Sequence, residues 1–297
     1  MNNHQRTEAG TIGNIERILI EQGYSKQEGF FAPGARGDDV QSEPEMVWSK
    51  FARENPIWAA AATDARDWYA KYPRVVDREM PDGEILALDA GCGYGRVAIP
   101  LLKTKGRLKI IGVDASAVML KTFGNLAATE GIDALDQRLL LLHSLLDRVP
   151  FADDTFDCIY SCAVLLHNPY PEVQKILNEF YRLLKPSGKL VLAGSFPNAL
   201  NLEGLQNFLY SNWIAAPNRN GPVRAYTKGK VRAFFRAWKD IRILPSGVTV
   251  LPRQIGAISL PFGGYIKRVN RWVEQKDFSF IAQSSLFSKH FDVVAEK

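Results

Sequence analysis

The sequence predicts an α/β protein built on a doubly wound, mostly parallel seven-stranded sheet, with a helical lid before it and a helical insertion ahead of its last strand. Three observations carry that prediction. From residue 85 onward short apolar runs alternate with helical segments, the first run ends in a glycine-rich loop, and two more strand-like runs close the chain. Apolar runs of this length suit strands buried on both faces, and their alternation with helices implies parallel strands joined by right-handed crossovers. With 297 residues, 46% of them hydrophobic and 23% charged, the chain can bury a sizeable core.

Residues 1–80 read as the helical lid and 81–297 as the main domain. In TIGNIERILIEQG, Ile12, Ile15 and Leu19 share a helical face and Gly23 offers a stop. SEPE at 42–45 has capping-box form, with Ser42 as N-cap and Glu45 three residues on. Between these segments FFAPGARGDDVQ reads as a mobile loop, on its Gly, Asp and Pro content. Asn55-Pro56 marks another helix start, and IWAAAATDARDWYAKY continues it to Pro73.

The strands of the main domain follow in order as ILALDAG, LKIIGVDAS, RLLLLHS, FDCIYSC and KLVLAGSF. Helices are expected at 94–103, 116–129 and 171–184, the first bent by Pro100. In the turn KPSGK, Pro186 fixes φ and Gly188 is expected to supply the permissive backbone. TKGKVRAFFRAW reads as a capped helix leading into the strand IRILPSGVTV, and FDVVAEK closes the chain. Insertions near 197–226 and 252–288 are natural places for substrate-covering structure.

Composition narrows the function classes. The N-terminal residues lack the apolar core of a secretory signal, and no apolar stretch approaches the ~20 residues that span a bilayer, so a cytoplasmic location is expected. Cys92, Cys158 and Cys162 make no disulfide framework, and His4, His143, His167 and His290 show no metal-ligand spacing. The net charge of +5 leaves an anionic partner open, but solvated surface lysines account for it as well.

The glycine loop LDAGCGYGR at 88–96 is the most informative stretch. A dinucleotide loop has the form G-x-G-x-x-G, but the place of its third glycine is taken here by Arg96, which counts against NAD or FAD. The spacing is D-x-G-x-G-x-G, through Asp89, Gly91, Gly93 and Gly95. Asp114 ends the second strand 25 residues after Asp89, where a carboxylate can accept two hydrogen bonds at once. Its other reading is a buried structural aspartate.

These features, with ASAVML, VPFADDTFDCIYSCAVLLHNPYPE and FYRLLKPSGKLVLAGSF, resemble the class I S-adenosylmethionine-dependent methyltransferases over residues 85–196. The resemblance is nearest to the small-molecule, methyltransferase type 11-like members. It implies a Rossmann-like methyltransferase fold and S-adenosylmethionine as cofactor. It places Gly91, Gly93 and Gly95 against the methionine portion, Asp89 at its ammonium end, Asp114 on the ribose hydroxyls, and Ala115 and Met119 beside the cofactor. Cys162 is included among the cofactor-binding positions. The aspartate that members often carry after the third strand is missing, so adenine falls to Ser144 or to backbone groups of Leu145 or Leu146.

Asn168-Pro169-Tyr170-Pro171 lies too far past the fourth strand to be the tetrapeptide of base-methylating enzymes, and reads as a loop and helix start. His167 matches a histidine found in many small-molecule members and is the candidate general base, with lining the cofactor site or capping a helix as its other roles. Tyr170, Tyr181 and the lid aromatics Trp48, Trp58 and Tyr69 are weaker candidates. The implied reaction is methyl transfer to a small organic acceptor, amphipathic or acidic in character, with nucleic acid not the expected partner. An RNA methyltransferase and a non-catalytic cofactor-binding regulator are the competing readings.

Overall fold

A computed structural model describes residues 12–34, 43–56, 71–132, 137–201, 223–248, 269 and 288–297. Trp58, Tyr69, Ser42 and most of both expected insertions lie outside these residues. The chain forms two compact units. The first is Met1–Cys162 with Lys175–Val191 and Glu296–Lys297, and the second is Ala163–Gln174 with Leu192–Ala295.

The first unit opens with helix α1 (Ile12–Glu21), which buries Ile12, Ile15 and Leu19 as its periodicity requires. Strands β1 (Tyr24–Gln27) and β2 (Phe30–Pro33) follow as an antiparallel hairpin. The start of the expected loop is therefore strand. Phe30, Phe31 and Ala32 are buried, and Phe31 pairs in parallel with Leu142 of β5 (Leu139–His143). Three apolar residues between a glycine and a proline are too short to display alternation, so tertiary pairing decides their state.

Helices α2 (Glu43–Glu54) and α3 (Lys71–Glu79) complete the N-terminal part. The α3 helix does not stop at Pro73 but holds it as its third residue. Pro100 takes the same position in α4 (Ala98–Thr104), a helix shorter than expected. On either side of Pro100 the Ile99 amide donates to the Gly95 carbonyl and the Leu101 amide to the Val97 carbonyl, so helical bonding continues past the amide that proline lacks.

Strands β3 (Ile85–Ala90) and β4 (Leu108–Asp114) form the centre of the sheet, every residue of β3 being buried. They pair in parallel, as do β4 with β5 and β3 with β6 (Phe156–Cys162). Helix α5 (Ala117–Thr129) buries Met119, Leu120, Phe123 and Ala127, and helix α6 (Tyr170–Leu183) leads into β7 (Leu184–Pro197). In the turn that opens β7 the left-handed residue is Ser187, at φ +62°, and not Gly188. Glycine stands at 188 because a Cβ would meet the Lys185 carbonyl oxygen at 2.8 Å.

In the second unit α7 (Lys228–Phe234) is capped by Thr227, whose side chain accepts from the Lys230 amide. Strands β8 (Lys239–Val248) and β9 (Ser288–Glu296) follow. The strand order is β1-β2-β5-β4-β3-β6-β7-β9-β8. The sheet is thus nine-stranded and mixed, because the N-terminal hairpin adds two strands to the expected seven. Among the described residues, no helix is long and apolar enough to cross a membrane.

Candidate functional site

Two parallel strands ending side by side create the site. In β3 and β4 the last carbonyls and amides point past the sheet edge, where the chain must turn away. The Gly91 and Cys92 amides both donate to the Val113 carbonyl, at 2.8 and 3.0 Å, and so tie the glycine loop to the end of β4. Gly91, Gly93 and Gly95 all have positive φ, at +77°, +51° and +77°. A Cβ on Gly95 would lie 2.2 Å from the Phe123 ring of α5, so this glycine clears space for the protein's own aromatic and not for a ligand. Gly93 is open by comparison: a Cβ there would meet nothing nearer than the Met119 sulfur, at 3.8 Å.

Asp114 organises the loop. Its Oδ2 accepts from the Gly93 amide at 2.8 Å and its Oδ1 from the Ser116 amide at 2.9 Å. A carboxylate offers about four acceptor positions, so even with the Ala115 amide also bearing on it acceptor capacity remains for a ligand hydroxyl. The residue is 8% exposed, and burial pushes its carboxyl upward against the opposing hydrogen bonds of Ser116 and Gly93 and the nearby His143. Ser116 also caps α5 through the Met119 amide at 3.3 Å.

Asp89, 3% exposed, lies in register with Tyr160 on β6. Its Oδ2 and the Tyr160 hydroxyl are both buried without a conventional hydrogen bond, although the two groups interact electrostatically. Burial pushes Asp89 up to about 8; Tyr160 pulls it down and the charge of Asp114 adds to the rise. A carboxyl titrating there is mostly protonated at pH 7, and a positive charge beside it would favour the carboxylate.

Helix α2 packs against this region of the first unit. Ser49 and Ser116 share a buried hydroxyl–hydroxyl hydrogen bond of 3.0 Å. Ala52, Tyr94 and Met119 form an apolar cluster, with Trp48 and Phe51 of α2 packed against it. Met119 and the aromatic Trp48 therefore take part in helix packing, Trp48 meeting Phe51 edge-on at 5.6 Å. His143 is in register with Asp114 and donates through Nε2 to the Ala115 carbonyl at 3.0 Å, with Glu45 of α2 3.8 Å away.

Ser144 accompanies this group, its amide donating to the Asp114 carbonyl at 3.2 Å. Its hydroxyl faces the carbonyls of Leu145 and Arg148 at 3.2 and 3.3 Å, and Leu145 is half-buried. Cys162 ends β6 and is half-buried. The structure thus brings Asp89, Gly91, Gly93, Asp114, Ala115, Ser144 and Leu145 to neighbouring strand ends and loops, with Met119 in the first turn of α5. His167 belongs to the second unit, where it ends a 3₁₀ turn (Leu165–His167) and its carbonyl accepts from Arg224 Nη1 at 2.9 Å. Tyr170 donates its hydroxyl to the Ala225 carbonyl at 2.9 Å, which weakens its candidacy as a base.

Sequence reasoning passes over Ser116, His143, Glu45, Ser49 and Tyr160. A legible signal exists for Ser116, which stands two residues after the strand-ending aspartate and opens a helix. His143 and Tyr160 are paired to the two aspartates only by sheet register, and Ser49 and Glu45 only by helix packing. Among the described residues, no group of three or more His, Cys, Asp and Glu could hold a metal ion.

Residues 87–188 match the family model described as methyltransferase domain, a span that holds both aspartates and the glycine loop. Over those residues the chain carries a methyltransferase domain. It is 34% identical over 160 residues to a demethylmenaquinone methyltransferase of Oceanobacillus iheyensis, covering 54% of this chain and 63% of that protein. It is 32% identical over 176 residues to a ubiquinone/menaquinone biosynthesis C-methyltransferase of Geotalea daltonii, covering 59% of this chain and 66% of the relative. The chain thus spans less than two thirds of the length of either relative. The methyltransferase domain also shares its fold with a solved Thermotoga maritima S-adenosylmethionine-dependent methyltransferase, a possible histamine N-methyltransferase. That likeness has a TM-score of 0.54 at 15% identity, over 86% of this chain and 99% of the other.

Proposed function

We propose that this protein transfers a methyl group from S-adenosylmethionine to a small organic acceptor by in-line displacement. The observation that carries the reading is Asp114: a buried carboxylate at the end of β4, held by the Gly93 and Ser116 amides with acceptor capacity to spare. A dihydroxy group such as a ribose edge matches that capacity. In this reading Asp89 takes the ammonium end, the Gly91–Gly93 backbone lies along the methionine portion, and Ala115 and Met119 flank the nucleoside. Ser144 and Leu145 are assigned to adenine, chiefly through backbone groups because the Ser144 hydroxyl already faces two carbonyls. Cys162 is assigned to the cofactor wall.

When bound, the cofactor supplies a methyl group already activated on a sulfonium sulfur. The chain's own task is to bind, align and exclude water, which can lower a barrier by several kcal/mol without a covalent intermediate. The glycine loop and Asp114 hold the donor end rigidly, and α2 with its Trp48–Phe51 pair shields that part of the first unit. His167 is assigned as the base that accepts a proton from an acceptor hydroxyl or amine. The names of the relatives favour an acceptor with an apolar body and a polar ring or head, as in the quinone precursors those enzymes are named for.

Transfer of label from methyl-labelled S-adenosylmethionine tests this directly, against a panel of phenols, quinols, small carboxylates and RNA. Label is expected in an organic small molecule, with the rate falling roughly 100-fold in His167→Gln, the size of a general-base contribution. Label in RNA alone would replace this reading with the RNA methyltransferase. Cofactor binding without transfer to any class would favour the regulatory one.

A further inference from the structure

Tyr160 has no place in the site as assigned, yet it lies beside Asp89 on the neighbouring strand. The two are Cα partners on adjacent parallel strands, and Tyr160 is 0% exposed. A buried phenol hydroxyl and a buried carboxylate oxygen, neither with a conventional hydrogen bond, are costly to leave so. Their nearness gives the arrangement a sense only if something completes it.

The groups that act most strongly on Asp89 are Tyr160 and Asp114, neither of them a cation. Tyr160 lies on β6, Asp114 ends β4, and Cys92 follows in the glycine loop, where burial and the charges of Asp114 and Asp89 push its thiol well up. Tyr160 is itself flanked on its strand by Cys158 and Cys162, and burial with the neighbouring Asp89 charge keeps its hydroxyl protonated. The phenol is therefore a donor, with the Asp89 carboxyl as the acceptor beside it. The pair is a buried carboxyl with a phenol on the neighbouring strand, both with hydrogen-bonding capacity to fill.

We propose that Tyr160 is a positioning residue that acts through Asp89, its hydroxyl aligning the carboxylate for the ammonium end of the cofactor and making cofactor binding release a proton. This rests on the assignment of Asp89 to the ammonium group. In the free protein the Asp89 carboxyl holds its proton. On binding, the O–H bond breaks, the proton passes to solvent, and the carboxylate remains between the incoming ammonium and the Tyr160 hydroxyl. A carboxylate so placed is held by one donor from the protein and one from the ligand.

Calorimetry of S-adenosylhomocysteine binding to the full chain, in buffers of low and high ionisation enthalpy, counts the proton. At pH 7 a carboxyl titrating at about 8 is mostly protonated, so wild type is expected to release about 0.9 proton. Asp89→Asn is expected to release none. Tyr160→Phe keeps the ring but loses the hydroxyl that favours the carboxylate. Its affinity should fall about tenfold at pH 7, recover to within about threefold at pH 9, and follow a pH profile displaced upward. Wild type binding with no proton exchange overturns the proposal while leaving the cofactor reading intact. A Tyr160→Phe profile superimposable on wild type overturns the role of Tyr160, and failure of wild type to bind overturns the cofactor reading and the proposal together.

Discussion

Two carboxylates 25 residues apart are both pushed upward by burial, but they are compensated differently. Asp114 is held by two backbone amides, so its buried charge is already partly compensated. At Asp89 burial dominates, and its Oδ2 is without a conventional hydrogen bond. The difference has a consequence for stability. Asp89 rises from an ordinary 3.8 to about 8 on folding, so between those values the native state keeps a proton that the unfolded chain has lost. Stability from this group is fully present below about 4 and declines as pH rises to about 8. Asp89→Asn should flatten that decline, and its thermal midpoint should exceed that of wild type at pH 8 while the two converge at pH 4. Parallel melting curves at the two pH values, with no difference in slope between the proteins, would show that Asp89 is ionised in the free protein.

At the scale of elements, the glycine loop and α5 form one packed piece. Gly95 admits the Phe123 ring and holds φ at +77°, two demands that a Cβ cannot meet together. Gly95→Ala is expected to destabilise the fold by about 2–4 kcal/mol, through left-handed strain and a clash with a buried ring. Chemical denaturation checks this, and a loss below about 1 kcal/mol would mean that the loop simply shifts. The five central strands can be read from the sequence because each is an apolar run closed by a turn or a charged residue, and Ser116 opens α5 where a helix is expected. The N-terminal hairpin cannot be read, since Phe30–Pro33 becomes a strand only by pairing with β5. The prolines at 73 and 100 do not end their helices, which run on to Glu79 and Thr104. Within the site, Asp89, the glycines and Asp114 are legible as a linear pattern. Tyr160, His143 and Ser49 are not, because register and helix packing bring them there across long stretches of chain.

Across the whole molecule, the assigned cofactor residues lie in the first compact unit, and His167 lies in the second. The second unit carries exposed cations at Lys228, Lys230, Arg232, Arg236 and Lys239. Its buried aromatics, Phe196, Tyr226, Phe234 and Phe235, pack on one another, with Phe196 and Tyr226 edge-on at 5.1 Å. A fold of this kind hosts many chemistries, so function must be argued from the strand ends of the first unit. The most direct test there is calorimetric titration of wild type and Asp114→Ala with S-adenosylhomocysteine and with NAD. The expected result is binding of the adenosyl compound to wild type, weakened at least about 100-fold by loss of two charge-assisted hydrogen bonds in the variant, and no binding of NAD. Binding of NAD with no response to S-adenosylhomocysteine, or equal affinity of the two proteins for it, would contradict the assignment of Asp114.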